Sequence, residues 1–142
     1  MHSAYRVTRI SYLVSHISYL ISHIYYMDFH VELKSSIHQY IKYIYKITKN
    51  FPKDELYGVT SQLRRAVLSI MLNYIEGFAR RKGVDSKVYK NFLEIAYGSL
   101  KESEYLTYFS YTESYIIEND YKNLSQLANK IGGMLWGTIS KI

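Results

Sequence analysis

Cysteine is absent from the 142-residue chain. Its absence excludes disulfide bracing, thiolate metal ligation and thiol catalysis. It is compatible with a reducing cytoplasm, where we expect the protein to reside. A chain of this length can bury a core in one domain without such cross-links. Proline occurs once and glycine seven times. So few breakers argue against a many-turned β fold and for long helices. Histidines are scattered: His16 and His23 lie seven apart, His30 and His38 eight apart, and no carboxylate or third ligand stands at a useful spacing. No metal or cofactor is expected. The uncharged run over residues 10–26 is only 17 residues long and carries four Ser and two His. That is short for a membrane span, and no A-x-A-like cleavage site follows, so neither anchor nor signal is expected.

What is present is tyrosine, 17 residues of it, and a formal net charge of +6. Basic charge allows an anionic partner without identifying one. The most informative stretch is residues 55–77, ELYGVTSQLRRAVLSIMLNYIEG. Tyr57-Gly58 breaks the preceding segment, and Thr60 or Ser61 is the expected N-cap. Leu63, Ala66, Val67, Ile70, Tyr74 and Phe78 then follow 3-and-4 spacing and form one apolar face. Leu68, Met71, Leu72, Ile75 and Ala79 form a second. A helix apolar on two sides must be covered on two sides. A small bundle covers one; Leu68, Met71, Leu72 and Ile75 are therefore the candidate oligomer interface. Between the faces runs a polar stripe of Arg65, Ser69, Asn73 and Glu76.

Three further helices are expected. The first spans about 29–50, with Leu33, Ile37, Tyr40, Ile41, Ile44 and Ile47 inward, and stops at Phe51-Pro52 because the residue before Pro leaves the α region. The third starts at Asp85-Ser86 and runs to about Glu118. Its small residues Ala96, Gly98 and Ser99 are expected to admit the second helix closely, and Tyr105, Tyr108, Tyr111 and Tyr115 to lie half-buried with their hydroxyls at the water edge. The fourth follows a turn at Asn119-Asp120, with Gly132-Gly133 marking close packing or a kink. The architecture is all-α: an up-down-up-down antiparallel four-helix bundle over residues 27–142. Residues 1–26 form an irregular or extra-helical extension built on a tandem repeat, SYLVSHI followed by SYLISHI. Ile10, Leu13, Ile17, Leu20, Ile24 and Met27 have the spacing of a coiled-coil seam. The flanking Ser, Tyr and His favour the other reading, a translated DNA repeat preceding a start at Met27, so a chain beginning there is expected to fold and assemble alike.

The segments ELYGVTSQLRRAVLSI, NYIEG with RR shortly after, and FLEIAYGSLKESE resemble the four helix bundle protein family. That family was first noted in intervening sequences of bacterial 23S rRNA genes and mislabelled as ribosomal protein S23. The resemblance covers residues 29–142 and rests on Tyr57, Gly58, Thr60 to Ala66, Ser69, Ile70, Asn73, Glu76, Gly77, Ala96, Gly98, Ser99 and Glu102. It implies a left-turning bundle that assembles as a homopentamer around a central channel. The family includes the accessory variability protein of diversity-generating retroelements, a basic pentamer that binds nucleic acid and a reverse transcriptase. The chain departs from the family in having Met71 where Pro is usual, and Tyr74-Ile75 where Ile-Ala is usual. Met71 restores a helix N–H, so the second helix should be less kinked.

Together these observations predict a non-enzymatic homo-oligomeric module that binds RNA or DNA, or a nucleic-acid-processing partner such as a reverse transcriptase encoded nearby. Residues 61–83 carry a net +4, and Arg80, Arg81, Lys82 and Arg64 are the candidate phosphate contacts. The alternative is an assembly or interaction scaffold in which these arginines only pair with acids and cap a helix. No Arg is followed four to six residues later by His, as in helical RNases of the HEPN type, and no Glu-x-x-His pair of a di-iron bundle occurs. No catalytic residue is therefore assigned. Glu102 is expected to form a buried ion pair with Arg65, fixing the register of the second and third helices.

Overall fold

The computed structural model describes residues 2–81 and 87–142, with side chains from residue 8 onward. Four α-helices follow in order: α1 (His2–Ile47), α2 (Val59–Arg80), α3 (Lys87–Thr112) and α4 (Glu118–Ile139), with 3-10 turns at Thr48–Asn50 and Lys53–Glu55. The chain divides into two units, Met1–Leu33 and Lys34–Ile142. In the first, helix is continuous, contrary to the irregular extension expected. The physical reason is the lack of any Gly or Pro before Pro52. The serines that counted against helix are accommodated by bonding back to their own turn: Ser11 donates to the Thr8 carbonyl (2.9 Å), Ser15 to Tyr12 (2.8 Å) and Ser22 to Tyr19 (2.8 Å).

The second unit is the bundle. Its core is built from residues that recur every three or four positions: Ile37, Tyr40 and Ile44 from α1, Leu63, Val67, Ile70 and Tyr74 from α2, Leu93, Ala96 and Leu100 from α3, and Leu124, Ile131 and Leu135 from α4. Two buried hydroxyls pair in the core: Tyr40 Oη lies 3.1 Å from Ser103 Oγ, which donates to the Leu100 carbonyl at 2.7 Å. Burial raises the Tyr40 phenol above its ordinary pKa. At the bundle edge the Tyr43 hydroxyl donates to Asp120 (2.7 Å) and accepts from Asn123 (3.2 Å), tying α1 to the start of α4.

Several boundaries differ from expectation. Neither Thr60 nor Ser61 caps α2: Gly58 is the N-cap, and the Glu55 carboxylate accepts from the Val59 N–H at 3.1 Å. Ser61 instead donates back to Gly58 and Tyr57. With Met71 in place, α2 is one uninterrupted helix. The expected cap at Asp85-Ser86 lies outside the described residues. α3 ends at Thr112, six residues early, in a Schellman turn: Tyr115 N–H donates to the Ser110 carbonyl (2.8 Å), Ser114 N–H to Tyr111 (3.0 Å), and Ser114 takes a φ of 61°. Asn119 and Asp120 are thus not the turn but the first turn of α4, where an acid suits the helix N-terminus.

The close approach of α2 and α3 is real, but its agent is Gly77 rather than Gly98. A Cβ on Gly77 would lie 2.7 Å from Phe92 Cβ and 3.3 Å from the Tyr89 ring, whereas one on Gly98 would meet nothing within 4 Å. Gly132 abuts Leu100, and Gly133 also faces open space. Opposite effects follow for one substitution. Gly77→Ala should destabilise the fold by about 1–3 kcal/mol, because the Phe92 Cβ is fixed to its backbone. Gly98→Ala should stabilise it by about 0.5–1 kcal/mol through helix propensity. Urea midpoints of the two variants, moving in opposite directions at unchanged slope, check this.

Candidate functional site

α2 divides into an inner face and an outer one. The inner residues are closed over by the bundle; Leu68, Leu72 and Ile75 are 39%, 63% and 44% exposed on the opposite side. Ala79 is exposed with them, while Met71 is half-buried on the stripe that also carries Arg64. The two-sided pattern therefore leaves one side uncovered within a single chain.

The polar stripe lies along the seam with α3, and the structure divides it. Ser69 Oγ and Ser99 Oγ are 2.8 Å apart, and the Asn73 amide donates to the Ser69 carbonyl (2.8 Å) and hydroxyl (3.0 Å). These three form a half-buried polar clasp between the helices. Arg65 and Glu102 do not form the expected buried pair. In antiparallel helices they stand at the same level, one turn from the Ser69–Ser99 contact, yet both are exposed and no ion pair joins them. The seam there is closed by small hydroxyls, and long charged side chains on its outer rim turn to water. Glu76 is also outside, paired with Arg80 at 2.6 Å with side chains 48% and 58% exposed. Such a pair contributes under about 1 kcal/mol.

The candidate phosphate contacts do not form one cluster. Arg64 and Arg80 are sixteen residues apart on one helix, about 24 Å along the axis. Arg64 turns toward α1, its Nε donating to Thr48 Oγ1 at 2.9 Å and its guanidinium 5.0 Å from the Tyr45 ring centre. Arg81 donates to the Phe78 carbonyl and lies over the Phe78 ring, closing the carbonyl end of α2. Arg80 faces Phe92 at 5.4 Å as well as Glu76. Lys82 lies outside the described residues. The tyrosine stripe is likewise mixed: Tyr105 and Tyr108 are more than half or half exposed, Tyr111 stacks on Tyr121 at 4.7 Å, and Tyr115 packs on Phe51 at 5.6 Å.

A cavity of about 230 Å³ lies among α1, α3 and α4, lined by Tyr40, Glu104, Thr107, Tyr121, Ser125 and Asn129 among others. Glu104 is its one acid and is paired with Lys101 at 2.7 Å. The Thr107 hydroxyl donates to the Ser103 carbonyl. Among the described residues no group of three or more His, Asp or Glu is placed to hold a metal ion, and no helix is long and apolar enough to cross a membrane.

Residues 34–142 thus form a small antiparallel helical bundle. The chain belongs to the 23S rRNA-intervening sequence protein family, which matches residues 30–137. Among solved structures it is similar to a protein of unknown function from the S23 ribosomal protein family of Bacteroides thetaiotaomicron VPI-5482. That likeness has a TM-score of 0.69 at 19% identity, covering 79% of this chain and 98% of the other, and it concerns the fold. No curated protein matches the chain.

The hydroxyl clasp and the Arg65 surface position predict different sensitivities. Arg65→Ala should leave stability within about 0.5 kcal/mol of the parent. Ser69→Ala removes a bond from both Ser99 and Asn73 and should cost about 1 kcal/mol or more. Paired chemical melts of the two variants compare them directly.

Proposed function

We propose that this chain is a non-enzymatic module that assembles with copies of itself through the outer face of α2, and as an assembly binds RNA or DNA, or a partner that processes them, in the cytoplasm. The observation that carries the reading is the exposure of Leu68, Leu72 and Ile75 on a helix whose other side is fully buried. Three large apolar side chains in one line along a helix read as an unpartnered contact face. The family resemblance points to five copies. Repeating one weakly basic surface around a ring multiplies its phosphate contacts, so a cluster too sparse in one subunit becomes effective in several. Arg65 and Arg80 are the described arginines on the outer side of α2, and Arg81 stands beside Arg80.

A second reading is favoured by a particular observation. Arg64, Arg80 and Arg81 each have an internal partner. On this reading the same assembly is a scaffold that binds protein alone.

Leu68→Glu combined with Leu72→Glu should shrink the particle by removing the α2-to-α2 contact, read by light scattering, with the helical signal retained. Arg65→Ala with Arg80→Ala should keep the assembly and lower its affinity for RNA and DNA at about 0.15 M salt, with a shallower dependence on salt. A double-Glu protein of unchanged size sinks the assembly face. Undiminished nucleic-acid binding by the Ala pair removes these arginines from the function, and no binding by the parent protein selects the scaffold.

A further inference from the structure

Residues 10–31 of α1 carry an apolar pattern that the bundle does not use. Read as heptads, Ile10, Ile17, Ile24 and Val31 take position a, and Leu13, Leu20 and Met27 take position d. All are exposed in the single chain, Ile17 by 54% and Leu20 by 45%. The spacing averages 3.5 residues, which keeps a seam straight only when a second helix of the same period winds around it. Val14 and Ile21 at e widen the stripe on one side.

We propose that residues 10–31 form a parallel, in-register coiled coil with the same segment of a second copy of this chain. Three features select that occupant. A seven-residue tandem repeat offers a partner of identical period, so every knob of one copy meets the hole that the other repeats. β-Branched residues at a with Leu at d favour two parallel strands. Charge then chooses the orientation. Position g holds Arg9, His16, His23 and His30, and the one charge at position e is Asp28. In a parallel pair, g of one helix faces e of the next heptad on the other, which sets His23 against Asp28. An antiparallel pair sets g against g, placing imidazoles and a guanidinium together. The imidazoles are already held along that flank, with Tyr12 stacked on His16 at 6.0 Å and Tyr19 on His23 at 6.1 Å. The serines at b and f lie on the far side, their described hydroxyls bonded to the helix's own carbonyls. This contact is separate from the outer face of α2. It gives residues 1–26 a role in association that a translated repeat would lack.

The cysteine-free sequence makes the test direct. Single substitutions Leu13→Cys and Leu20→Cys place a thiol at d, and Ser15→Cys and Ser22→Cys place one at f. Across a parallel seam the two d backbones come within disulfide range, and the f backbones do not. The full chain is oxidised at micromolar concentration and run on a non-reducing gel. Both d variants should pass mainly to a covalent dimer, also in chains carrying Leu72→Glu, and both f variants should stay largely monomeric. Linking at only one d position indicates an antiparallel pair and overturns the orientation. No linking at d, or equal linking at d and f, overturns the parallel in-register pair.

Discussion

The closeness of α2 to α3 is the constraint on which the bundle depends. At Gly77 there is room for a hydrogen and not for a methyl, since an added Cβ would lie only 2.7 Å from the Phe92 Cβ. Two turns earlier on α2, Ser69 and Ser99 touch through hydroxyls 2.8 Å apart. Small residues on both helices let the backbones approach. That approach sets how α2 is rotated about its axis. Leu63, Val67, Ile70 and Tyr74 are turned fully inward, and Leu68, Leu72 and Ile75 lie on the opposite, exposed side. Rotating α2 to hide the outer leucines would drive a larger side chain than Gly77 into α3. Packing inside the chain therefore dictates which face of α2 is left exposed.

Much of this was legible because apolar periodicity is a strong signal. The four helices, the inward residues and the two-sided character of α2 all follow from spacing. What spacing could not supply was anything decided by geometry between elements. Arg65 and Ser69 share a stripe on the helical wheel, but the hydroxyl lies at the seam and the guanidinium one step beyond it, in water. Gly77 and Gly98 are both interior helix glycines by sequence, and only their neighbours distinguish them. The end of α3 was missed because its left-handed residue is Ser114, where a Gly or Asn would have signalled it. Glu55 went unnoticed as the cap of α2 because it precedes the capping position by three residues. The Tyr43, Asp120 and Asn123 contact joins residues nearly eighty apart, with no local signature at all.

The basic character of α2 also changes meaning once placed. A net +4 over residues 61–83 reads as one patch in a list of residues. In space Arg64 and Arg80 lie near opposite ends of the helix, and each is engaged. On the outer side of α2 a single chain presents only Arg65 and Arg80, far apart along the helix. On the reading proposed above, association would supply nucleic-acid affinity by bringing equivalent arginines of several copies together. The heptads of α1 would add a second and independent means of bringing copies together, through a helix whose sequence identity with itself is its chief specificity.

The central claim is that the outer face of α2 is covered in solution by another copy of this chain. Sedimentation equilibrium of the intact protein across the micromolar range measures this most directly. The account predicts a mass several times that of one chain, holding on dilution to about 1 μM. A particle that stays at the mass of one chain throughout that range would contradict it.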